Sequence, residues 1–404
     1  MNEVMKQVTS RSSKRSLFSA AALAIGVLGA TTAHAAPNQV VVVVAQGLSP
    51  QVIDLGSTYV KTSATEDEPT IGFNDLKVAA KTAKLSGDVV ASMRGILKIA
   101  EANGYKTGLV TTNDVTTDAA AFYDITSTNV ADALIKNSGF DFLAGGGRTQ
   151  FVPATGTNLT TAFKTGNTAL LNADEFENVE EIKGRVLALQ ADESLSYAID
   201  GDVATEAGLG DLASLAMTTL AGEDGNSPFF LVVHDANLLK ALNAKDTPAV
   251  LGEFRELDGI VTEALSVRDG KETPASMALA VVTTGASVVP DYTIETPTGR
   301  SNAIFIASKL PFSYAKATTA LKGATEESID EFAFEYGSWK PSADVRAAVI
   351  AGTTTGEVAV RSSFEPAISI GFEAKEIAPM AYVVGISETD LVAGLAKIAA
   401  TKAK

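Results

Sequence analysis

Short runs of consecutive apolar residues recur along the chain and predict the strands of a buried sheet. The clearest run is Gln39–Ala45, in which five valines follow one another. A run this uniformly apolar lacks the alternation of a half-exposed strand and is typical of a parallel strand covered on both faces. Similar runs predict further strands at 106–112, 140–144, 186–189, 229–233 and 278–282.

Segments with helical spacing separate these runs. In 88–104 the apolar residues fall on one helix face, between a capping aspartate, Asp88, and a terminating glycine, Gly104. Further helices are predicted at 129–137, 209–220 and 248–266. Repeated alternation of strand and helix predicts an α/β fold with a doubly wound, mostly parallel sheet. The stretch 288–351 breaks the alternation, and we interpret it as a small inserted subdomain in the C-terminal third.

The N-terminal 35 residues have the parts of a bacterial export signal. A basic stretch ends at Arg15, an apolar run covers 17–30, and the triplet Ala-His-Ala at 33–35 has the pattern of a cleavage site. The apolar run is shorter than the ~20 residues that span a bilayer, which disfavours a membrane anchor. We therefore predict a signal peptide at 1–35 and a mature domain at 36–404, exported to the periplasm or the outer cell surface. No later segment is predicted to span a membrane.

Charge and composition narrow the classes of partner. The formal charge is −16, and the predicted signal contributes a net of +3, so the mature chain carries about −19. Such a field repels nucleic-acid phosphates and anionic lipids, and we predict no nucleic-acid partner. The chain has no cysteine, and His234 is the only histidine after the signal. Stability therefore depends on packing without disulfides.

Several segments resemble, in order, the alkaline phosphatase family of secreted phosphomonoesterases, which use two zinc ions and one magnesium ion. GLVTT at 108–112 followed by AAAFY at 119–123 is similar to the GLVTT…TPAAFY passage of the family. LAGGGRTQFVP at 143–153 resembles its LGGGRxxFxP turn, and GRVLALQADESLSY at 184–197 resembles its GKVLGLFA…LPY stretch. With later matches the resemblance covers roughly 40–394 and implies the same α/β fold.

The resemblance also implies where the catalytic residues would lie, and this chain differs there. The metal-binding Asp-Gly after the first strand corresponds to Gln46, and the nucleophilic serine corresponds, with a one-residue shift, to Leu76. The family's His or Asp and its Thr before AAFY correspond to Thr116 and Asp118, and its phosphate-clamping arginine corresponds to Asn129. A leucine cannot form a covalent phosphoryl intermediate, and an asparagine lacks the charged guanidinium fork.

The later metal ligands of the family are replaced as well. Its glutamate corresponds to His234 and its two aspartates to Leu239 and Gly285, and its three histidines correspond to Asn243, Ala286 and Thr354. Because the mature chain has one histidine, a misplaced alignment cannot account for losing all the histidine ligands. We therefore predict a pseudoenzyme with no catalytic residue, no cofactor-binding residue and no metal-ligand set. His234 with Asp235 could be a remnant metal or proton-transfer pair, but a hydrogen-bonded structural histidine is favoured.

Three functions remain open. The first is a non-catalytic envelope protein, most specifically a surface-layer protein that assembles with itself. The acidic charge, the absence of cysteine and the low aromatic content (6%) are typical of such layers, in which Ca²⁺ often bridges copies. The second is a phosphomonoesterase with a rebuilt, carboxylate-based metal site. The third is a periplasmic binding protein with a neutral pocket lined by Gln46, Leu76, Asn129, Leu239 and Ala286.

Overall fold

The computed structural model describes residues 37–64, 69–85, 88–137, 139–202, 204–271, 276–292, 304, 307, 309–337, 341–352, 360 and 370–385. The predicted signal peptide and Thr354 lie outside these residues. The strands are β1 (Gln39–Ala45), β2 (Lys81–Lys84), β3 (Lys106–Asp114), β4 (Phe142–Gly146), β5 (Thr168–Leu170), β6 (Val186–Leu189), β7 (Phe229–Asp235), β8 (Met277–Thr283), β9 (Ala286–Tyr292), β10 (Ile370–Ile377) and β11 (Met380–Val384). The helices are α1 (Pro50–Ser63), α2 (Gly72–Ala79), α3 (Val89–Ser92), α4 (Ile96–Ala102), α5 (Val115–Phe122), α6 (Val130–Asn137), α7 (Arg148–Phe151), α8 (Leu159–Phe163), α9 (Ala173–Glu177), α10 (Leu209–Ala221), α11 (Asn237–Ala244), α12 (Thr247–Asp269), α13 (Tyr314–Ala320), α14 (Glu326–Gly337) and α15 (Ala343–Ala351).

Nine of these strands form one large sheet in the order β2-β11-β8-β1-β7-β3-β4-β6-β5. In the run of seven strands from β8 to β5, every adjacent pair is parallel. Strand β11 is antiparallel to both β8 and β2. The predicted α/β fold with a mostly parallel sheet is confirmed.

The valine run of β1 lies at the centre of this sheet and faces two separate helical layers. Val41 and Val43 belong to one apolar cluster, which takes in α1, α2, α10 and α12. Val40, Val42 and Val44 belong to the other, which takes in α4, α5 and α6. All five valines are fully buried, and each contributes roughly 1.5–3 kcal/mol through removal of its side chain from water. Burial on both faces explains why β1 has no polar alternation.

The predicted single helix at 88–104 is wrong in one respect, because the structure divides it into α3 and α4. The break falls at Gly95, which has a left-handed backbone (φ +72°). The Gly95 N–H donates to the carbonyl of Ala121 (2.9 Å), a bond to a different helix. The apolar spacing of the segment survives the break, since Val89, Ile96 and Ala100 remain buried. Periodicity alone therefore did not detect the turn.

Between β8 and β11 the chain leaves the large sheet. Strands β9 and β10 pair antiparallel in a two-stranded sheet of their own. Helices α13, α14 and α15 lie between these two strands in sequence. The stretch 288–351 falls within this excursion, and its status as a separate subdomain stays a prediction. Among the described residues, no helix is long and apolar enough to cross a membrane.

Candidate functional site

Polar side chains at the carboxyl ends of β1, β3 and β7 form a continuous hydrogen-bonded chain. The side-chain amide of Gln46 donates to Nε2 of His234 (2.7 Å). Nδ1 of His234 donates to Oδ2 of Asp118 (2.6 Å), and the Thr111 hydroxyl donates to the same oxygen (2.5 Å). Both ring nitrogens of the histidine therefore have a partner inside the protein. This is the environment of a hydrogen-bonded structural histidine.

The strand register brings these residues together. His234 lies opposite Thr111 across the β7–β3 pair. The backbone N–H of Gln46 donates to the carbonyl of Asp235 (2.9 Å), which fixes the turn after β1 against the end of β7. Gly47 follows with φ +81°, and a Cβ there would lie 3.3 Å from the Cα of Leu239. Glycine at this turn thus allows α11 to approach the end of β1 closely.

The Asp118 carboxylate is buried and held in its charged form. Burial raises its pKa, but the hydrogen bonds from His234, Thr111 and Asn113 outweigh burial and bring the net pKa below the ordinary value. The carboxylate and His234 are 5% and 1% exposed. Phe122 packs edge-on against the imidazole, at 5.7 Å between ring centroids. Burial thus shields this carboxylate from bulk water.

A second polar group lies on the other face of β7. Oδ1 of the fully buried Asp235 accepts from the backbone N–H groups of Asn237 (2.8 Å) and Leu238 (3.3 Å), while its Oδ2 has no hydrogen-bond partner. Burial raises the pKa of Asp235 to about 6. Burial, with the nearby charge of Asp235, also raises the pKa of Glu253 well above its ordinary value. Glu253 accepts from the backbone N–H of Ala198 (2.7 Å).

Lys240 on α11 lies near the carboxylates of both groups. Burial lowers its pKa, and the charges of Asp235, Glu253 and Asp118 oppose that shift. Its ammonium donates to the side-chain oxygen of Asn237 (3.1 Å). The sequence analysis missed both Lys240 and Glu253. A glutamate inside the apolar stretch 248–254 was the available signal, because an acidic residue at a buried helix position needs a partner.

The structure does not gather the remaining predicted positions around this chain. Leu76 is fully buried in the cluster that contains α1, α2 and α12, so it cannot line the open neutral pocket that the sequence suggested. Asn129 caps α6 through a hydrogen bond from the N–H of Asp132 (2.9 Å). Thr116 donates its hydroxyl to Asp114 (2.7 Å) in the first turn of α5.

The positions after β7 and β8 have ordinary structural surroundings. Leu239 is half-buried on α11, and Asn243 is exposed one turn later. Gly285 forms the turn between β8 and β9 with φ +82°, and Ala286 begins β9. None of these side chains extends the hydrogen-bonded chain of His234.

A carboxylate already occupies the N-terminus of α2, the helix that carries Leu76. The N–H of Phe73 donates to Oδ1 of Asp258 (2.9 Å) on α12. Burial raises the pKa of Asp258 to about 6, although the backbone N–H groups of Phe73 and Gly72 lower it. Free N–H groups at a helix N-terminus attract anions, but here an internal anion takes them. A phosphate group would meet the charge of Asp258 instead.

The residues present do not fit the metal ions that the resemblance implies. Across the described part of the chain, no group of three or more His, Cys, Asp and Glu side chains could hold a metal ion. Nε2 of His234 would be the free ligand atom of a metal-binding imidazole, and it is bonded to the Gln46 amide. A primary amide nitrogen supplies no lone pair to a metal. As these side chains are arranged, they do not form a zinc or magnesium site.

The fold and the position of this polar chain define a class, the doubly wound α/β proteins whose sites lie at the carboxyl edge of a parallel sheet. The family model described as alkaline phosphatase matches residues 67–358, well over half of the chain. The chain belongs to the alkaline phosphatase family. No curated protein sequence matches it.

Solved structures agree with this fold at low sequence identity. A cold-active alkaline phosphatase from the psychrophile Shewanella sp. matches with a TM-score of 0.67 and 18% identity, over 89% of this chain and 98% of that one. The alkaline phosphatase of Thermus thermophilus matches with a TM-score of 0.69 and 16% identity, over 87% of this chain and 86% of that one. At such identities the likeness supports the fold alone.

Proposed function

We propose that this protein is a non-catalytic member of its family, an exported envelope protein that uses the phosphatase scaffold for a structural role. The hydrogen-bonded chain of Gln46, His234 and Asp118 is the observation that carries the proposal. Both ring nitrogens of His234 and the carboxylate of Asp118 are already bonded to other side chains of the protein. This chain of hydrogen bonds is stable without a ligand, because the buried charge of Asp118 has its partners within the protein.

Two further features support the loss of phosphoryl transfer. Leu76 is 0% exposed, so the residue at the nucleophile position is unreactive and out of reach of a substrate. Asp258 neutralises the N-terminus of α2, which removes the positive end of that helix as a phosphate site. Binding of substrate and formation of a covalent intermediate are therefore both disfavoured.

Activity and metal content test the proposal together. The mature protein would be given Zn²⁺ and Mg²⁺ and assayed with an aryl phosphate, with an active alkaline phosphatase as the positive control. Metal bound after dialysis would be measured by mass spectrometry under native conditions. We expect no turnover and no stoichiometric metal. Turnover that EDTA abolishes would establish the alternative, a phosphomonoesterase with a rebuilt metal site.

The finer form of the proposal is a surface-layer protein that assembles into a two-dimensional array. Its support is compositional: an acidic chain without cysteine and with few aromatic residues. Ca²⁺ would bridge carboxylates of neighbouring copies, since it accepts oxygen ligands in variable geometry. Negative-stain electron microscopy of the native cell surface, and of purified protein with and without Ca²⁺, tests this. A regular lattice supports a surface layer, and dispersed particles in both conditions argue against one.

An open groove favours the second alternative, a periplasmic ligand-binding protein. The groove has a volume of about 490 Å³ and lies between α11, α13 and the loop around residues 195–200. Lys240 and Lys316 line it, with Asp200 and several neutral polar groups. Calorimetric titration with inorganic phosphate tests this alternative directly. Tight binding would identify a binding protein, whereas no heat of binding would leave the structural role as the better explanation.

A further inference from the structure

Two large apolar side chains are far more exposed than any other in the described part of the chain. Val78, at the end of α2, is 90% exposed, and Phe334, on α14, is 75% exposed. A third, Val267, reaches only 38%. Isolated exposed valines are common. Leaving a phenylalanine exposed forgoes the stabilisation of up to about 3 kcal/mol that full burial of its side chain would supply. The surroundings of the two side chains therefore decide whether they mean anything.

Phe334 lies in an acidic surface, which we define as Glu327, Glu331, Phe334 and Glu335. Glu327 lies four residues before Glu331, and Phe334 and Glu335 lie three and four residues after it, so the four share one face of α14, and all are exposed. Glu327 and Glu331 form no ion pair within the described residues. The exposed ring of Phe334 thus lies among negatively charged side chains.

The opposite face of α14 is fixed to the protein. Phe332 stacks on Phe312 at 5.7 Å between ring centroids, and Tyr336 lies 4.9 Å from Phe332. Arg346 on α15 forms ion pairs with Glu326 (3.1 Å) and Asp330 (3.0 Å). These contacts hold the helix in one orientation. The acidic surface is therefore presented rigidly, which lowers the entropic cost of binding a partner.

Val78 lies in a basic surface, which we define as Lys77, Val78 and Lys84. Lys77 and Val78 lie in the last turn of α2, and Lys84 ends β2, an edge strand of the large sheet. Lys84 pairs with Met380, whose side chain packs against the same apolar cluster as α2, so Lys84 lies on the face of the sheet that carries α2. All three side chains are exposed, and no ion pair joins the two lysines to another described residue. A lysine on an edge strand discourages strand-to-strand pairing and leaves its side chain available for an acidic partner.

We propose that the acidic surface of one copy binds the basic surface of a second copy. The two surfaces match in charge, and each contributes one exposed apolar side chain. Because both side chains are exposed, the two surfaces do not cover each other within one molecule. Because the contact joins unlike surfaces, every dimer still has one free acidic surface and one free basic surface. Further copies can therefore add as a row, unless the rotation that relates one copy to the next closes a ring.

This inference rests on the proposed structural role and names the contact behind one direction of an array. A single contact of this size is weak, since stable interfaces bury on the order of 1,200–2,000 Å² in total. In an array each copy makes several contacts at once, and the high effective concentration compensates for weak individual affinity. We therefore expect monomers in dilute solution and rows or arrays at high surface density. Salt should weaken the contact, because the Debye length falls from ~8 Å at 0.15 M to ~3 Å at 1 M.

The absence of native cysteine allows a direct test by disulfide trapping. One full-length mature preparation would carry Val78→Cys, and another, distinguishable by an affinity tag, would carry Phe334→Cys. The two would be mixed under mild oxidation and the tagged-to-untagged dimer quantified. Val267→Cys mixed with Phe334→Cys is the matched control, because Val267 is also an exposed valine on a helix.

We expect the Val78–Phe334 pair to yield at least several-fold more mixed dimer than the control pair, and 1 M NaCl to reduce that yield several-fold. Adding Glu331→Lys to the Phe334→Cys chain should lower the yield, and adding Lys84→Glu to its partner should restore it. Equal yields for test and control pairs would overturn the proposed contact. A lattice seen by microscopy together with equal yields would refute this contact alone, whereas dispersed particles would count against the structural role itself.

Discussion

Replacing Asp246 by asparagine should change how stability depends on pH. Asp246 is 1% exposed, and it holds two helices at once. Its Oδ1 accepts from the N–H of Ala249 (3.1 Å) in α12, and its Oδ2 accepts from the N–H of Tyr314 (2.7 Å) in α13. Burial, together with the nearby charge of Asp200, raises the pKa of Asp246 to about 7. The ordinary value, 3.8, applies to the unfolded chain.

The direction in which stability changes with pH follows from proton binding. Between these two pKa values the folded protein holds a proton on Asp246 that the unfolded chain does not, so raising the pH destabilises the fold. The stabilisation is complete below pH 4 and is lost as the pH approaches 7. At about 1.36 kcal/mol per pKa unit, the full effect is about 4 kcal/mol. Asparagine removes this dependence but replaces one acceptor oxygen by a donor, which costs about 1–3 kcal/mol at every pH.

Urea unfolding followed by far-UV circular dichroism between pH 4.5 and 8 checks this expectation. At pH 4.5 the wild-type protein has lost about 1 kcal/mol of the effect, so it should be the more stable by about 2 kcal/mol at most. The difference should reverse between about pH 4.5 and 6, and by pH 7 the variant should be the more stable. Asp344→Asn on α15 serves as a control, because the Asp344 side chain is exposed on the surface of that helix. Parallel stability curves for wild type and Asp246→Asn would refute the reasoning.

Three shorter predictions concern the former site. Gln46→Asp should create a metal site with Nε2 of His234, whose ring Asp118 orients through Nδ1. Zn²⁺ at about 100 times its Kd should then stabilise the variant by ~2.7 kcal/mol in thermal unfolding, and Gln46→Asn should show no such shift. His234→Ala leaves the Asp118 carboxylate buried without its partner and should cost about 3–5 kcal/mol in urea unfolding, and a loss below 1 kcal/mol would contradict the buried network. Leu76→Ser should destabilise the protein by roughly 2–5 kcal/mol without any phosphatase activity, and measurable turnover would place residue 76 in a catalytic site after all.

Apolar patterning predicted most of the sheet, because each core strand is buried on both faces and so has a continuous apolar run. The strand at 229–233 and the central strand at 39–45 illustrate this, and the former extends only two residues further in the structure. Apolar patterning could not predict a left-handed turn or a polar strand. The left-handed turn at Gly95 divides a segment whose side-chain spacing is fully helical. Strand β2 is short, polar and exposed, so it has no apolar signal at all.

The candidate site was predictable in part. Gln46, Asp118 and His234 were singled out through the family resemblance, and the structure brings these three into direct contact. That they bond to one another could not be read from the sequence, because the contact depends on the register of strands far apart in the chain. The partners of Asp235 were missed for a related reason. Glu253 lies on a long helix whose buried face is set by tertiary packing and not by its sequence position.

The position of β1 has a consequence for the order in which the protein can fold. Among the described strands this one is the first to be synthesised, yet its two neighbours in the sheet, β7 and β8, follow about 190 and 240 residues later. The centre of the sheet therefore cannot close until most of the chain has left the ribosome, and such long-range pairing is slow. Such late closure of the core would suit the predicted signal peptide, because a chain whose core has not formed is still extended.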